Sequence, residues 1–196
     1  IDATKKALEG KFTVAEVQSK DDFNALDVLL FPGGSGSGLA KSLGPEGQAK
    51  VKAFLGKGKG VIGICAGAYL MLKDGGMPLV DGVLIDEEHW ARGVGEVEIK
   101  VGKSKVLRSE GSHKIHYENG PLIRPGKDPK LPDYETLATF TSDMAQNGAP
   151  KGKMPGTPAV VAAESGKGRI VLFSPHPERS GLEALLHDAI RWSTRK

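Results

Sequence analysis

Three short runs of the chain are apolar almost throughout: Asp27–Phe31, Val61–Cys65 and Arg169–Phe173. Strands covered on both faces read this way, because neither side of their sheet meets water. Between the first two runs, Ala49, Val51, Phe54 and Leu55 form a helical stripe behind Pro45, a residue suited to a first helical position. Strand, helix and strand at this spacing make a βαβ unit and hence a parallel sheet. Near the C-terminus Leu182, Leu185, Leu186, Ala189 and Ile190 recur at helical spacing, and Ser180 and Glu183 ahead of them have the pattern of a capping box. Residues Asp2–Leu8 read as a further short helix.

The middle of the chain changes character. Val97, Ile99 and Val101 alternate with Glu96, Glu98 and Lys100, as in a strand with one wet face. Val106–Arg108, Lys114–Tyr117, Leu137–Thr141 and Ala159–Ala163 are further strand candidates, punctuated by the Gly- and Pro-rich stretches Gly120–Pro132 and Asn147–Pro158. Residues of roughly 78–165 therefore read as an antiparallel β excursion attached to an α/β core with a mostly parallel sheet. Glu164–Gly168 reads as the hairpin loop that returns the chain to that sheet.

Composition narrows the function classes. The 196 residues are 39% hydrophobic and 26% charged, the balance of a single globular domain over 1–196. No apolar run approaches the roughly 20 residues that span a bilayer. A net charge of +3 with 6% aromatics gives neither the basic patch nor the stacking platforms of a nucleic-acid binder. The partner expected is a small-molecule substrate, with no nucleic acid and no membrane, and the oligomeric state stays open. Cysteine occurs once, at Cys65, which excludes an intramolecular disulfide and a Cys-rich zinc site. Glu87, Glu88 and His89 read as a solvated loop rather than metal ligands, and Trp90 and Arg92 as packing residues. No metal and no cofactor is called for. The chain opens on Ile1 with no signal-like segment in its first twenty residues, so its compartment stays open, with the cytoplasm ahead of export.

Candidate chemistry sits at the ends of the three apolar runs. In Gly63-Ile64-Cys65-Ala66-Gly67 a strand ends at the cysteine and a helix-compatible segment follows. Glycines two residues to either side relieve the crowding of a sharp strand-to-helix turn, as in a nucleophile elbow, and a helix N-terminus favours thiolate. In Ser174-Pro175-His176-Pro177-Glu178 the prolines hold the backbone extended, so His176 and Glu178 project to the same side. A carboxylate beside an imidazole fixes its tautomer and stabilises the imidazolium, as a cysteine nucleophile requires. Gly33 and Gly34, after Phe31-Pro32, leave backbone N–H groups uncovered at a third strand end. With the Ala66 N–H they would make an oxyanion hole. Each motif alone could equally be a core cysteine, a surface loop or a tight turn. Together they fill the requirements of an acyl-transfer site.

In these residues the sequence resembles the class I glutamine amidotransferase-like superfamily: Phe31-Pro32-Gly33-Gly34, then the cysteine elbow, then His176-Pro177-Glu178, in that order. Within it the likeness is closest to the biotin-protein ligase N-terminal-like family, which carries similar Pro-Gly-Gly, Cys-Ala-Gly-Ala-Tyr and Ser-Pro-His-Pro-Glu motifs. It also carries an Asn-Gly-Pro motif, matched by Asn119-Gly120-Pro121. The resemblance implies a flavodoxin-like three-layer sandwich with a Cys65–His176–Glu178 triad, and makes Tyr117 and Asn119 substrate-contact candidates. It also implies a strand ahead of Asp2–Leu8, so a native N-terminal strand is expected upstream. Glutamine-hydrolysing members usually have a glutamine four residues after the cysteine, where this chain has Tyr69, and they pass ammonia to a synthase domain that this chain has no room for. Both points weigh against glutamine as the substrate.

The function expected is a cysteine-dependent hydrolase or amidotransferase-like enzyme acting on an amide or related acyl bond. One alternative is a catalytically idle small-molecule-binding module on the same fold. Another is a PfpI-like redox or carbonyl-stress protein, but there a histidine usually follows the cysteine, and here Ala66 does.

Overall fold

A computed structural model of the chain describes residues 2–194. In chain order it contains α1 (Asp2–Leu8), β1 (Val28–Phe31), α2 (Gly36–Gly56), β2 (Gly60–Ile64), α3 (Ala66–Met71), β3 (Gly82–Leu84), β4 (Val94–Val101), β5 (Gly111–Glu118), β6 (Ile123–Pro125), β7 (Glu135–Phe140), β8 (Pro158–Ser165), β9 (Gly168–Phe173) and α4 (Glu183–Ser193). Two 3₁₀ turns, Glu87–His89 and Pro177–Arg179, complete it. Seven strands form one sheet in the order β1-β2-β9-β8-β7-β4-β5, and β3 and β6 form a separate antiparallel pair.

The sheet is mixed. β1, β2 and β9 run parallel, and the remaining neighbours are antiparallel. The two halves are thus the parallel core and the antiparallel excursion that the hydrophobic pattern separates. Alternation explains the layers. Val61, Ile170 and Leu172 face one way, into a core shared with Val51, Phe54 and Leu55 of α2 and with Ala68, Leu70 and Met71 of α3. Ile62, Ile64, Val171 and Phe173 face the other way, against Leu185, Leu186 and Ala189 of α4. Helices therefore cover both faces, giving a three-layer α/β sandwich of flavodoxin-like type.

Three local readings change. Val106–Arg108 is not a strand: the Ser104 hydroxyl accepts from the N–H groups of Val106 and Leu107, and the Arg108 N–H donates to Asp188, which holds the segment in a turn. Pro45 does open a helical segment, but that segment is the second half of α2. The first half begins at Gly36, capped by Ser35, and Gly44, at φ 59°, marks the kink between the two. Ser180 does not cap α4. Its hydroxyl donates to the His176 carbonyl at 2.6 Å and accepts from the His116 N–H at 2.9 Å, and the helix starts only at Glu183.

Candidate active site

Because β1, β2 and β9 are parallel and in register, Phe31, Gly63 and Leu172 lie side by side. The residues that follow them leave the sheet at its carboxyl edge, where open α/β sheets bind ligands. Pro32-Gly33-Gly34, Cys65 and the Ser174–Glu178 segment are brought together there by topology alone.

Cys65 sits in a bend that L-residues rarely adopt, with φ 51° and ψ −104°. The flanking glycines are required by close approach: a Cβ on Gly63 would lie 2.6 Å from the Gly67 carbonyl oxygen, and one on Gly67 would run into the Phe31 carbonyl. The Cys65 N–H is tied to the Phe173 carbonyl and its own carbonyl accepts from the Tyr69 N–H, so strand and helix both hold the bend.

His176 and Glu178 are both buried, at 5% and 8% exposure, and the imidazole Nδ1 is 2.8 Å from Glu178 Oε1. The other ring nitrogen, Nε2, is buried with no hydrogen-bond partner. Gly33 backs this face of the ring, since a Cβ there would lie 2.6 Å from His176 Cε1 and 3.5 Å from the Cys65 Cβ. We expect Gly33→Ala to displace the imidazole and cut the alkylation rate of Cys65 at least severalfold, while the melting temperature moves little. Wild-type reactivity in that variant would show that the ring position does not matter to the thiol.

Burial pulls the His176 pKa down, but the neighbouring Cys65 sulfur and the hydrogen-bonded Glu178 carboxylate outweigh it and push it up to about 9. The folded protein thus holds this proton more tightly than the unfolded chain, whose value is about 6.5. The stabilisation from the pair is complete below pH 6.5 and is lost as pH rises through about 9. Melting temperature measured from pH 6 to 10 should fall across that window, and fall less in Glu178→Gln. Equal slopes in the two proteins would mean that the carboxylate does not hold the proton.

The antiparallel half of the sheet supplies the remaining wall. It curls so that the end of its edge strand β5 returns over β9: the His176 N–H donates to the His116 carbonyl, and the Cys65 thiol donates to the Glu118 carbonyl at 3.3 Å. Gly120 lies so close to the Ser174 carbonyl that no side chain would fit between them. That contact gives the Asn-Gly-Pro and Ser-Pro-His-Pro-Glu motifs a physical reason to occur together.

A cavity of about 950 Å³ opens above these residues, near the top of the usual ~300–1,000 Å³ range of small-molecule sites. Of the residues singled out from sequence, Gly33, Gly34, Cys65, Ala66, Asn119, His176 and Glu178 line it. Asn119, at φ 52°, bonds reciprocally with Gly93: its side-chain oxygen accepts from the Gly93 N–H at 2.8 Å and its own N–H donates to the Gly93 carbonyl. Tyr117 is not brought to the cavity. It is fully buried, its hydroxyl donates to the Gly120 carbonyl at 2.7 Å, and its ring packs edge-on against Phe140, so it is a core residue.

Several lining residues were not read as site residues from the sequence. Glu118 and Arg179 form an ion pair at the rim, and Arg179 holds the Glu118 carboxyl below the usual carboxylate range. Tyr69 stands beside the cysteine, and burial raises its hydroxyl pKa, keeping it neutral. Trp90, read as a packing residue, is instead 58% exposed and lines the cavity. Arg92 does pack: it is buried, ion-paired with Asp86, and donates to the carbonyls of Met144 and Pro150. Among the described residues no group of three or more His, Cys, Asp or Glu side chains is arranged to hold a metal ion, and no helix is long and apolar enough to cross a membrane.

Residues 4–74 match the sequence pattern of a known family, described as biotin-protein ligase, N terminal. That stretch includes Gly33, Gly34, Cys65 and Tyr69 and ends before Asn119 and His176. No curated protein matches the chain in sequence. Among solved structures it is similar to a chain of PurLQS from Thermotoga maritima, with a TM-score of 0.72 and 18% identity, covering 97% of this chain and 92% of that one. It is also similar to a β-galactosidase from Bacillus circulans sp. alkalophilus, with a TM-score of 0.64 and 15% identity over 99% of this chain but only 27% of that one. A third likeness is to the cytoplasmic protein STM1381 from Salmonella typhimurium LT2, with a TM-score of 0.62 and 10% identity, covering 99% and 87%. At these identities the structural likenesses speak for the fold alone.

Proposed function

We propose that this chain, a class I glutamine amidotransferase-like protein whose residues 4–74 match the biotin-protein ligase N-terminal family, is a cysteine-dependent hydrolase or amidotransferase-like enzyme acting on an amide or related acyl bond. The observation that carries the reading is the buried His176–Glu178 pair, 2.8 Å apart, with a free Nε2 beside a cysteine held in a strained bend. A buried imidazole held at one nitrogen, with the other left for the reacting groups, is costly as a structural element and useful for moving a proton.

In the reaction His176 holds the proton given up by Cys65, its pKa of about 9 keeping the ring an imidazolium at neutral pH, and the thiolate sulfur attacks the acyl carbon. The oxyanion that forms is held by the N–H groups of the Gly33-Gly34 turn and of Ala66. His176 then gives its proton to the leaving nitrogen as the C–N bond breaks, leaving a thioester on Cys65. Water, or another nucleophile, loses a proton to His176 and attacks the thioester, which releases the acyl group and restores the thiol. Glu178 holds the ring through Nδ1 and stabilises its charged form throughout. Tyr69, where a glutamine stands in glutamine hydrolases, weighs against glutamine as the amide.

The test is a panel of small amide and ester acyl donors followed by intact-mass measurement of the protein. An acyl adduct on Cys65 that turns over with time supports the reading. No adduct with any donor, together with tight binding of an unmodified small molecule, would make the cavity a recognition site without chemistry.

A further inference from the structure

The cavity extends well past Cys65. It follows α3, from Cys65 and Ala66 at the start of the helix, past Tyr69, to Asp74 and Gly75 beyond its end. At 1.5 Å per residue the six residues of α3 separate those ends by about 9 Å. A substrate no larger than one small amide would use only the end at the thiol.

Charge is unevenly paired around the cavity. Near the thiol each charged side chain has a partner: His176 has Glu178, and Arg179 has Glu118. Asp74, beyond the end of α3, and Glu87 also line the cavity, and neither side chain forms an ion pair among the described residues. Two uncompensated carboxylates thus face one cavity of a chain whose net charge is +3. Trp90, three residues after Glu87, lines the cavity as well. The other tryptophan, Trp192, is buried beneath the Arg169 guanidinium, whereas Trp90 exposes its ring to the cavity.

The segment bearing Glu87 and Trp90 is held in place. Asp86, itself at φ 58°, is bonded by both His89 and the buried Arg92, and Arg92 also ties the segment to Met144 and Pro150. A buried guanidinium spent on fixing a surface turn presents an aromatic face and a carboxylate in fixed positions, which is how a cation is recognised. Beside Cys65 the buried, unpartnered His176 Nε2 marks where the reacting group belongs.

We propose that the cavity takes an elongated amide whose far end carries an organic cation, a primary amine or a guanidinium, held by the Trp90 ring and the Glu87 carboxylate and drawn by the second free carboxylate of the cavity, Asp74. The inference rests on Cys65 being the reacting nucleophile. A carboxylate at the far end would meet two like charges, and a neutral group would leave both without a counter-charge.

The test uses three chloroacetamides that differ only in the nitrogen substituent: 6-aminohexyl, hexyl and 5-carboxypentyl. Each alkylates a thiol by forming an S–C bond as chloride leaves, and with one cysteine in the chain the intact mass reports Cys65 directly. At low salt the aminohexyl reagent should label about tenfold faster than the hexyl one, the carboxypentyl reagent should be slowest, and salt should shrink the differences. The ratio of aminohexyl to hexyl rates should fall to about two or less in a D74N/E87Q double variant, and by about threefold in Trp90→Ala. Both carboxylates are exposed, and a ratio taken within one protein cancels any general change in thiol reactivity. In Glu87→Lys the preference should shift towards the carboxypentyl reagent.

Equal aminohexyl and hexyl rates in the wild type, or an unchanged ratio in the double variant, would overturn the inference. The enzyme reading would still stand if iodoacetamide labelling depended on His176. An aminohexyl advantage without that dependence would instead support the cation subsite and overturn the enzyme reading.

Discussion

Cys65→Ala is expected to bring turnover of any amide or ester substrate to background, and Glu178→Gln to lower it by about 10²- to 10³-fold while the protein stays folded. In the serine-protease triad the change from carboxylate to amide at the orienting position costs about 10⁴-fold. The loss should be smaller here, because a thiol needs less help from its base at the first step than a hydroxyl does. The amide of glutamine can still accept from His176 Nδ1, so the ring keeps its place and loses mainly the charge that stabilises the imidazolium. The melting temperature should fall by a few degrees at most. Steady-state rates for both variants, with thermal melts alongside, check this. Near-wild-type turnover in Glu178→Gln would take Glu178 out of the mechanism and leave a Cys-His pair. A protein that no longer folds would make the carboxylate structural.

Gly67→Ala should cost stability on a scale that an exposed glycine would not. Gly67 lies in the first turn of α3, where alanine would otherwise favour the helix. Its missing side chain is what lets that turn lie on β1, because an added Cβ would run into the Phe31 carbonyl. Backbone meets backbone there, so neither side can move aside by changing a rotamer. We expect a loss of about 3 kcal/mol or more, which for a domain of this size lowers the melting temperature by roughly 6–12 °C. Gly148→Ala is the control: it sits at φ 80° with nothing within contact of its missing side chain, so it bears only the local backbone cost. If Gly67→Ala melts no lower than Gly148→Ala, the elbow is not crowded.

The parallel core was legible because its strands are covered by helices, which leaves Val28–Phe31 and Gly60–Ile64 without a polar side chain and Gly168–Phe173 with Arg169 alone. Once those strands are parallel, the residues after them must share an edge, so the grouping of Gly33, Cys65 and His176 follows from chain order. The first half of α2 was not legible. Its Gly36-Ser37-Gly38 opening has poor helix propensity and is held by the Ser35 cap and by packing against α3. Nor was the curl that carries β5 from the far edge of the sheet back over β9. That curl comes from strand pairing across the whole chain, and it turns Ser180 from a helix cap into a bridge between His116 and His176. Tyr117 was a substrate-contact candidate only through the family resemblance, and a motif carried over in that way does not say whether its side chain meets a cavity or, as here, the core. Trp90 was misread because tryptophan is more often buried than displayed.

The central claim is that His176 activates Cys65, and the alkylation of Cys65 by iodoacetamide as a function of pH measures it without a substrate. Intact mass gives the rate, because the chain has a single cysteine. The imidazolium persists up to about pH 9, so wild-type protein should react between pH 6 and 8 about tenfold faster than His176→Ala, with the two converging as the pH passes that value. Superimposable rate curves for the two proteins across the whole range would contradict the account.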